Sequence, residues 1–313
     1  MDLFAIESNP VPEGAVVGDI LTSDGVRLRT AHWRPAGKRA LGTVCLFQGR
    51  AEAIERYFET VEDLRRRGFA VATLDWRGQG GSERRLKNAR KGHVDSFAEY
   101  DRDLDAFMQQ VALPDCPPPH YALAHSTGGL VCLRAVHDGR VRFARMVLDG
   151  PLLSLGNRGP SQGMVTGAAA LMTALGLGEL EVPGRYSITI ERMPFENNPL
   201  TSDPVRFERN REISLKVPQI TVGVPTYGWL YAACRAMAEA AEESFPSAIN
   251  TPILIIGGSL DRIVSVEAME SLAGELRAGS FVLLPGARHE ILMERNRLRE
   301  QYFAAFDAFV PGS

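Results

Sequence analysis

One serine stands where a strand-like run gives way to a helical run. The apolar residues 121–124 are typical of a short buried strand, and a helical pattern begins near Leu130. Ala124 and Gly128 stand two positions before and two positions after Ser126. A sharp strand-to-helix turn needs small residues at these positions, because it brings the two backbones close together. The pattern predicts a nucleophile elbow with Ser126 at its apex, and the alternative is a plain turn that carries a surface serine.

A serine hydroxyl is a weak nucleophile, so this hypothesis requires a histidine base that is oriented by a carboxylate. With an elbow of this kind the residues follow the chain order Ser, Asp or Glu, His, each at the carboxyl end of a strand. Asp261 comes just after the apolar run 252–257, and His289 comes just after the run 279–284. We therefore predict that Ser126, Asp261 and His289 are the catalytic residues.

Other residues compete for two of these roles. Asp149 also ends an apolar run, but Gly150 and a proline follow it at once, so we favour Asp261 as the acid and expect Asp149 to fix that turn. His93 and His125 do not follow a late strand, and we expect both to be structural.

The tetrahedral intermediate of acyl transfer carries an oxyanion that needs preorganised N–H donors. We expect one donor to be the backbone N–H of Thr127, directly after the nucleophile. The other should come from the loop Gln48-Gly49-Arg50, which follows the apolar run 42–47, and the backbone N–H of Arg50 is the candidate. The alternative for this loop is an ordinary strand-end turn.

A glycine-rich stretch at residues 75–82 invites a second interpretation, a nucleotide-binding loop. No Lys-Ser or Lys-Thr follows it, and a basic polar run comes next where a phosphate loop would open a helix. We therefore favour a structural turn that is braced by Asp75.

Composition narrows the function classes. The 313 residues carry a net charge of −3, which argues against a general nucleic-acid binder because such proteins usually have a basic excess. The four cysteines lack metal-ligand spacing, and neither a metal nor an organic cofactor is expected. The first residues lack a basic signal-peptide region, and no run reaches the roughly 20 apolar residues of a membrane-spanning helix. We expect a cytoplasmic protein, and contact with a membrane surface stays open.

The order of elements predicts an α/β fold with a mainly parallel central sheet flanked by helices. An Asp-Gly pair between alternating runs in residues 16–34 predicts a hairpin, and continuous apolar runs then alternate with helical patterns. From about residue 152 to residue 246 the strands give way to helical segments and proline-broken turns. We assign residues 1–151 and 247–313 to a core domain and residues 152–246 to a helical insertion.

Several motifs together resemble the α/β-hydrolase superfamily, within its monoacylglycerol lipase and bacterial lysophospholipase-like branch. The resemblance runs over nearly the whole chain, from about Gly18 to the C-terminal helix. The motifs that carry it are residues 49–57, 75–82, 92–100, 124–129, 198–210, 222–229, 259–264 and 288–290. Two departures from the family pattern are Gln48, where relatives often have His or Pro, and Ala124, where Gly is usual. Either could alter the acyl pocket, and neither removes a catalytic group.

The resemblance implies a serine hydrolase that cleaves the fatty-acyl ester of a single-chain lipid, a lysophospholipid or a monoacylglycerol, through an acyl-enzyme. It also implies that the insertion forms a lid over the serine. We expect substrate contacts from Gln48 and Gly49 and from the insertion residues Met164, Leu171 and Trp229. The alternative for the apolar stripe that contains Met164 and Leu171 is the lid's own core, and we favour it.

Three arginines of the insertion, Arg206, Arg209 and Arg211, could meet a phosphate headgroup. Acidic residues lie among them, including Glu208 and Glu212, so the interpretation we favour is a solvated charged face.

Other functions are compatible with the same fold. A proline-releasing aminopeptidase shares the triad, but it needs acidic lid residues that hold a free amino terminus. A dehalogenase or epoxide hydrolase is disfavoured because those enzymes use Asp at the elbow, where this chain has Ser126. A non-catalytic binding protein of this fold is a further alternative, although such proteins typically lose a triad member.

Overall fold

The computed structural model describes residues 2–37, 40–156, 159–183 and 189–310. Within them, eight strands form one sheet in the order β1-β2-β4-β3-β5-β6-β7-β8. The strands are β1 (Val16–Leu21), β2 (Arg27–Trp33), β3 (Thr43–Phe47), β4 (Ala70–Leu74), β5 (His120–His125), β6 (Met146–Asp149), β7 (Ile253–Gly258) and β8 (Gly279–Leu284). The predicted hairpin consists of β1 and β2, which pair antiparallel. Strands β2 and β4 also pair antiparallel, and the other neighbouring strands of this sheet pair parallel. The predicted α/β architecture is confirmed.

Helices cover both faces of the sheet. They are α1 (Phe58–Arg66), α2 (Ala98–Phe107), the single turn α3 (Leu113–Asp115), α4 (Thr127–His137), α5 (Gln162–Ala174), α6 (Pro204–Lys216), α7 (Tyr227–Ala240), α8 (Val266–Glu275) and α9 (Asn296–Phe309). A 3-10 turn, Ile54–Tyr57, precedes α1, and a π-helical turn, Met108–Ala112, follows α2.

Burial explains the apolar runs of the central strands. Every residue of β3, β4 and β6 is buried, because helices pack on both faces of the sheet there. One hydrophobic cluster joins one face to α2, α4, α7 and α8, and a second joins the other face to α1 and α9. The sheet is therefore the middle layer of three, and the carboxyl ends of its parallel strands meet at one edge.

The insertion lies between β6 and β7 and contains α5, α6 and α7. Helix α5 packs on α7, and α7 buries Trp229, Met237 and several alanines in the same cluster as α2 and α4. Helix α7 therefore belongs to the main hydrophobic core, and α5 packs on it.

Ion pairs attach α6 to the core helix α1. Arg206 donates to both carboxylate oxygens of Glu59, from Nε at 2.9 Å and from Nη2 at 2.5 Å, and Arg209 Nη1 donates to Glu59 Oε2 at 2.8 Å. The expectation of a solvated charged face is wrong for these two arginines, because they are largely buried against α1. Arg211 pairs with Glu208 of its own helix at the surface.

The Glu59 pairs lead to a prediction about stability. Arg206, Arg299 and Arg209 outweigh the effect of burial and lower the pKa of Glu59 from 4.5 to about 2. We expect Glu59→Gln to reduce the free energy of unfolding at neutral pH by about 1–2 kcal/mol, between the values for exposed ion pairs and for buried charge-assisted hydrogen bonds. Urea unfolding followed by tryptophan fluorescence measures this difference.

The same experiment has a pH signature. A carboxylate whose pKa is lowered on folding contributes stability that is fully present above its unfolded pKa and is lost as the pH falls through its folded pKa. The difference between the native protein and Glu59→Gln should therefore be complete above pH 4.5 and decline toward pH 2. Glu62→Gln is the matched control, because Glu62 lies on the same helix and, among the described residues, pairs only with Arg65. A pH-independent difference would contradict the prediction.

Candidate active site

The turn between β5 and α4 has the geometry of a nucleophile elbow. Ser126 adopts φ 49° and ψ −113°, a backbone conformation that a residue with a side chain rarely occupies. A Cβ at Gly128 would lie 2.6 Å from the carbonyl oxygen of Gln48 and 2.8 Å from that of Phe47. A residue as small as glycine is required at position 128, because the start of α4 lies directly against the end of β3.

The three predicted catalytic residues lie in one hydrogen-bonded chain. His289 Nε2 is 3.2 Å from Ser126 Oγ, and His289 Nδ1 is 2.7 Å from Asp261 Oδ2. An ionised carboxylate can only accept, so Nδ1–H donates to Asp261 and leaves Nε2 to accept from the serine hydroxyl. All three side chains are buried. This arrangement can deprotonate Ser126 as it attacks an electrophilic carbon.

Asp261 is fixed by its own backbone as well as by the histidine. Its Oδ1 accepts from the N–H groups of Ile263 and Val264 at 2.8 Å and 3.1 Å. Burial alone would raise the pKa of Asp261, but His289 and these two donors outweigh it, and the pKa lies below its ordinary value. Asp261 is therefore held as a carboxylate beside the imidazole.

The rival carboxylate faces another histidine. Asp149 Oδ2 lies 3.6 Å from His125 Nδ1, and the carbonyl oxygen of Asp149 is 3.0 Å from that same nitrogen. Among the described residues, Asp261 is the only carboxylate within hydrogen-bond distance of a ring nitrogen of His289. The geometry thus favours Asp261 over Asp149 as the acid.

The loop after β3 leaves one amide free for an oxyanion. The N–H of Gly49 donates to Glu52 Oε2 at 2.6 Å, and the N–H of Ala51 donates to Gln79 Oε1 at 3.2 Å. Between them, the backbone N–H of Arg50 has no acceptor in the part of the chain that the structure describes. Thr127 is the first residue of α4, where the N–H has no intrahelical acceptor. Both predicted donors are therefore available.

Two of the predicted substrate contacts, Gly49 and Gln48, lie in the loop after β3. Gly49 lies against the elbow, since a Cβ there would be 3.2 Å from Ser126 Cβ. Gln48 is fully buried, with Nε2 3.5 Å from Thr73 Oγ1 and from Asp75 Oδ1. A substrate contact from this residue stays a prediction.

The insertion residues differ from expectation. Met164 and Leu171 are 68% and 61% exposed, so the lid's-own-core interpretation that we favoured for the stripe is wrong for both. Trp229 is buried, and its Nε1 donates to Tyr100 Oη at 3.0 Å. The guanidinium carbon of Arg50 lies over its ring, 5.0 Å from the ring centre.

A buried polar network beneath the site was not predicted from the sequence. Glu52 accepts from Gly49 N–H and from Tyr57 Oη, and it lies 3.8 Å from His125 Nε2. Burial lowers the pKa of His125, but Glu52 and Asp149 outweigh it and raise the pKa to about 9. The His125 ring centre lies 4.8 Å from that of His289. The network therefore connects the oxyanion loop, the elbow strand and the histidine loop.

One signal for this network was present in the sequence. Glu52 stands three residues after Gly49, a spacing at which a carboxylate can accept from the backbone of the turn it follows. The Asp75 carboxylate behaves as expected, since its oxygens accept from Gly81 N–H and Ile54 N–H and brace the glycine-rich loop.

No group of three or more His, Cys, Asp or Glu side chains among the described residues is arranged to hold a metal ion. None of the helices described here has the length and apolarity needed to cross a membrane.

Residues 38–296 match the family described as serine aminopeptidase, S33. Lysophospholipase L2 of Escherichia coli strain K12 is 30% identical over 294 residues, which span 88% of this chain and 82% of that protein. Monoglyceride lipase of Rattus norvegicus is 25% identical over 248 residues, 78% of this chain and 73% of that protein.

Solved structures show the same fold. The monoacylglycerol lipase of Paleococcus ferrophilus superposes with a TM-score of 0.72 at 22% identity, covering 91% of this chain and 99% of that one. A soluble variant of the Saccharomyces cerevisiae monoglyceride lipase superposes with a TM-score of 0.74 at 18% identity, covering 98% and 99%.

Proposed function

The chain belongs to the serine aminopeptidase S33 family of α/β-hydrolases, and we propose that it hydrolyses the fatty-acyl ester of a single-chain lipid, a lysophospholipid or a monoacylglycerol. The observation that carries the proposal is the hydrogen-bonded chain of Ser126, His289 and Asp261, beside the backbone N–H of Arg50, which has no acceptor among the described residues. The likeness to lysophospholipase L2 and to the monoglyceride lipases supports the lipid-ester substrate.

In the proposed mechanism Ser126 Oγ attacks the ester carbonyl carbon while His289 Nε2 takes the hydroxyl proton. Asp261 stabilises the imidazolium that forms, and the backbone N–H groups of Arg50 and Thr127 stabilise the oxyanion. The intermediate collapses to an acyl-serine as His289 gives its proton to the leaving alcohol. Water, deprotonated by the same histidine, then attacks the acyl-serine, and the fatty acid is released.

A proline-releasing aminopeptidase would need a carboxylate that is free to bind an amino terminus. Glu52 is a carboxylate close to the elbow, but it already accepts from Gly49 and Tyr57 and pairs with Arg56. These contacts support an ester substrate over a free amine.

The test compares three substrates with the purified protein: a lysophosphatidylcholine, a monoacylglycerol and a proline p-nitroanilide. We expect fatty acid to be released from at least one lipid and no nitroaniline from the amide. Release of nitroaniline with no hydrolysis of either lipid would overturn the proposal in favour of an aminopeptidase. No reaction with any of the three would favour a binding protein.

We also propose that residues 152–246 act as a lid over a core of residues 1–151 and 247–313. The insertion is bonded to the loop that carries the catalytic histidine. The N–H of Glu290 donates to Leu200 O at 2.8 Å, and Arg288 Nη1 donates to Asn198 O and Thr201 O at 3.0 Å and 2.7 Å. Movement of this segment would therefore be transmitted to His289.

Helix α5 supports a proposal of peripheral contact with a lipid surface, at the cytoplasmic face of the membrane. Its residues include no charged side chain, and only Ala169 is buried. Met164, Leu171 and Leu175, one helical face, are 68%, 61% and 63% exposed. A contiguous exposed apolar surface is typical of a site that contacts a membrane or another protein, and the lipid substrate proposed above favours the membrane.

We expect the double substitution Met164→Glu with Leu171→Glu to weaken binding to phosphatidylcholine vesicles at least tenfold, because burial of each side chain contributes about 1.5–3 kcal/mol. Vesicle co-sedimentation measures this binding. Val205→Glu is the matched control, since Val205 is an exposed apolar residue on the neighbouring helix α6. Equal binding of the native protein and the double variant would exclude α5 as the contact surface.

A further inference from the structure

The side chain of Arg50 lies where the oxyanion loop meets the insertion. Its Nη2 donates to the carbonyl oxygen of Gly223 at 3.0 Å, and its guanidinium carbon lies 5.0 Å from the ring centre of Trp229. Its Nε is buried and has no hydrogen-bond partner among the residues that the structure describes. No carboxylate in the described part of the chain is within ion-pairing distance of this guanidinium. Arg50 is therefore a cation held by a carbonyl oxygen and an aromatic face.

By contrast, Arg29 and Arg56, which are buried in the core, have carboxylate partners. Arg29 Nη1 lies 2.7 Å from Glu55 and Arg56 Nη2 lies 2.6 Å from Glu290. Arg50 is partly buried, and a charge without a counter-ion is unfavourable away from water. Desolvation lowers the pKa of Arg50 to about 10 despite the fields of Tyr100 and Glu181. A cation without a counter-ion beside a reaction centre suggests that a substrate supplies the anion.

We propose that the guanidinium of Arg50 binds the headgroup phosphate of the substrate, so that the site selects lysophospholipids over monoacylglycerols. This inference rests on the proposed function and names the substrate class within it.

The position of Arg50 in the loop suits this role. Its backbone N–H is a candidate donor to the ester carbonyl oxygen, so its side chain starts beside the acyl ester. In a lysophospholipid only the glycerol carbons separate that ester from the phosphate. A phosphate would give the unpaired Nε an acceptor and replace the neutral carbonyl of Gly223 with an anion. Guanidinium groups bind phosphate through parallel N–H donors, and the face of Trp229 would hold the guanidinium plane in place.

The experiment measures kcat/KM for a lysophosphatidylcholine and for a monoacylglycerol with the same acyl chain. We expect Arg50→Gln to lower the ratio of the two values by about ten- to a hundredfold, as loss of charge-assisted hydrogen bonds does, and Arg50→Lys to restore part of it. Both variants keep the backbone N–H, so any shared loss from a disturbed oxyanion loop cancels in the ratio.

Arg84→Gln is the matched control. Arg84 also lacks a carboxylate within ion-pairing distance among the described residues, and its Nη2 also reaches a carbonyl oxygen of the insertion, that of Gln219 at 3.4 Å. It does not belong to the oxyanion loop, and we expect its substitution to leave the ratio unchanged. If the ratio fell equally in Arg50→Gln and Arg84→Gln, the proposal would be overturned, because any arginine that contacts the insertion would then have the same effect.

Three further outcomes are distinguishable. Equal losses on both substrates in Arg50→Gln would overturn the proposal and make Arg50 a positioning residue. An unchanged ratio, with inorganic phosphate altering the rate of the native protein and not that of Arg50→Gln, would mean that the site binds free phosphate and not the headgroup. Failure of the native protein on both lipids would instead refute the proposed function.

A measurement on the native protein alone covers the case in which Arg50→Gln fails to fold. Non-hydrolysable ether analogues of the two lipids are compared as competitive inhibitors at concentrations below those at which they form micelles. The phosphate-bearing ether should bind about tenfold or more tightly than the alkylglycerol. Equal inhibition would overturn the proposal.

Discussion

Replacing Ser126 with Ala is expected to reduce fatty-acid release on the order of a million-fold, the loss observed when the nucleophile is removed from an unrelated triad enzyme. The reason is that the hydroxyl is the group that forms the acyl-enzyme, and no other described side chain is within hydrogen-bond distance of His289 Nε2. Release of fatty acid from a lysophospholipid, followed by titration at constant pH, measures the effect.

Ser271→Ala is the control for this substitution, because Ser271 is an exposed serine on α8 whose hydroxyl donates to Glu275 of the same helix. It should retain the native rate. If Ser126→Ala were as active as Ser271→Ala, Ser126 would not be the nucleophile and the elbow geometry would have another purpose.

Replacing Asp261 with Asn is expected to lower kcat on the order of ten-thousand-fold near neutral pH, as the corresponding change does in another triad enzyme. The amide would present a donor to His289 Nδ1, which now lies 2.7 Å from a carboxylate oxygen, and would favour the wrong tautomer of the ring. Steady-state kinetics with a lysophospholipid measure the loss.

Asp149→Asn is the matched comparison, since Asp149 is a buried carboxylate at the end of the neighbouring strand. It faces His125 rather than His289, so its substitution should cost far less activity. The assignment of the acid would be reversed if Asp149→Asn proved more damaging than Asp261→Asn.

Much of the site could be predicted because parallel strands end at one edge of a sheet. Ser126, Asp261 and His289 follow β5, β7 and β8, and these strand ends were visible in the sequence as apolar runs that stop at polar residues. Local sequence patterns of elbows and strand ends were therefore enough to predict that these three residues, far apart in the chain, lie close together. Their catalytic roles remain predictions.

The contacts of the insertion could not be predicted in the same way. Arg206 meets Glu59 across 147 positions, and Arg50 meets Gly223 across 173 positions, between elements with no shared hydrogen-bond register. The sequence also could not predict which face of α5 is exposed to solvent. An apolar stripe has the same spacing whether it packs against protein or is left exposed. These details depend on how the insertion sits on the core.

Labelling with a long-chain alkyl fluorophosphonate is the most direct test of acyl transfer at Ser126. This reagent presents an apolar chain and an electrophile to an activated serine, and peptide mass spectrometry locates the adduct. We predict one adduct per chain, on Ser126, with parallel loss of fatty-acid release and with protection by lysophospholipid. An unlabelled protein that still releases fatty acid, or an adduct on another serine that alone abolishes activity, would contradict the proposed mechanism.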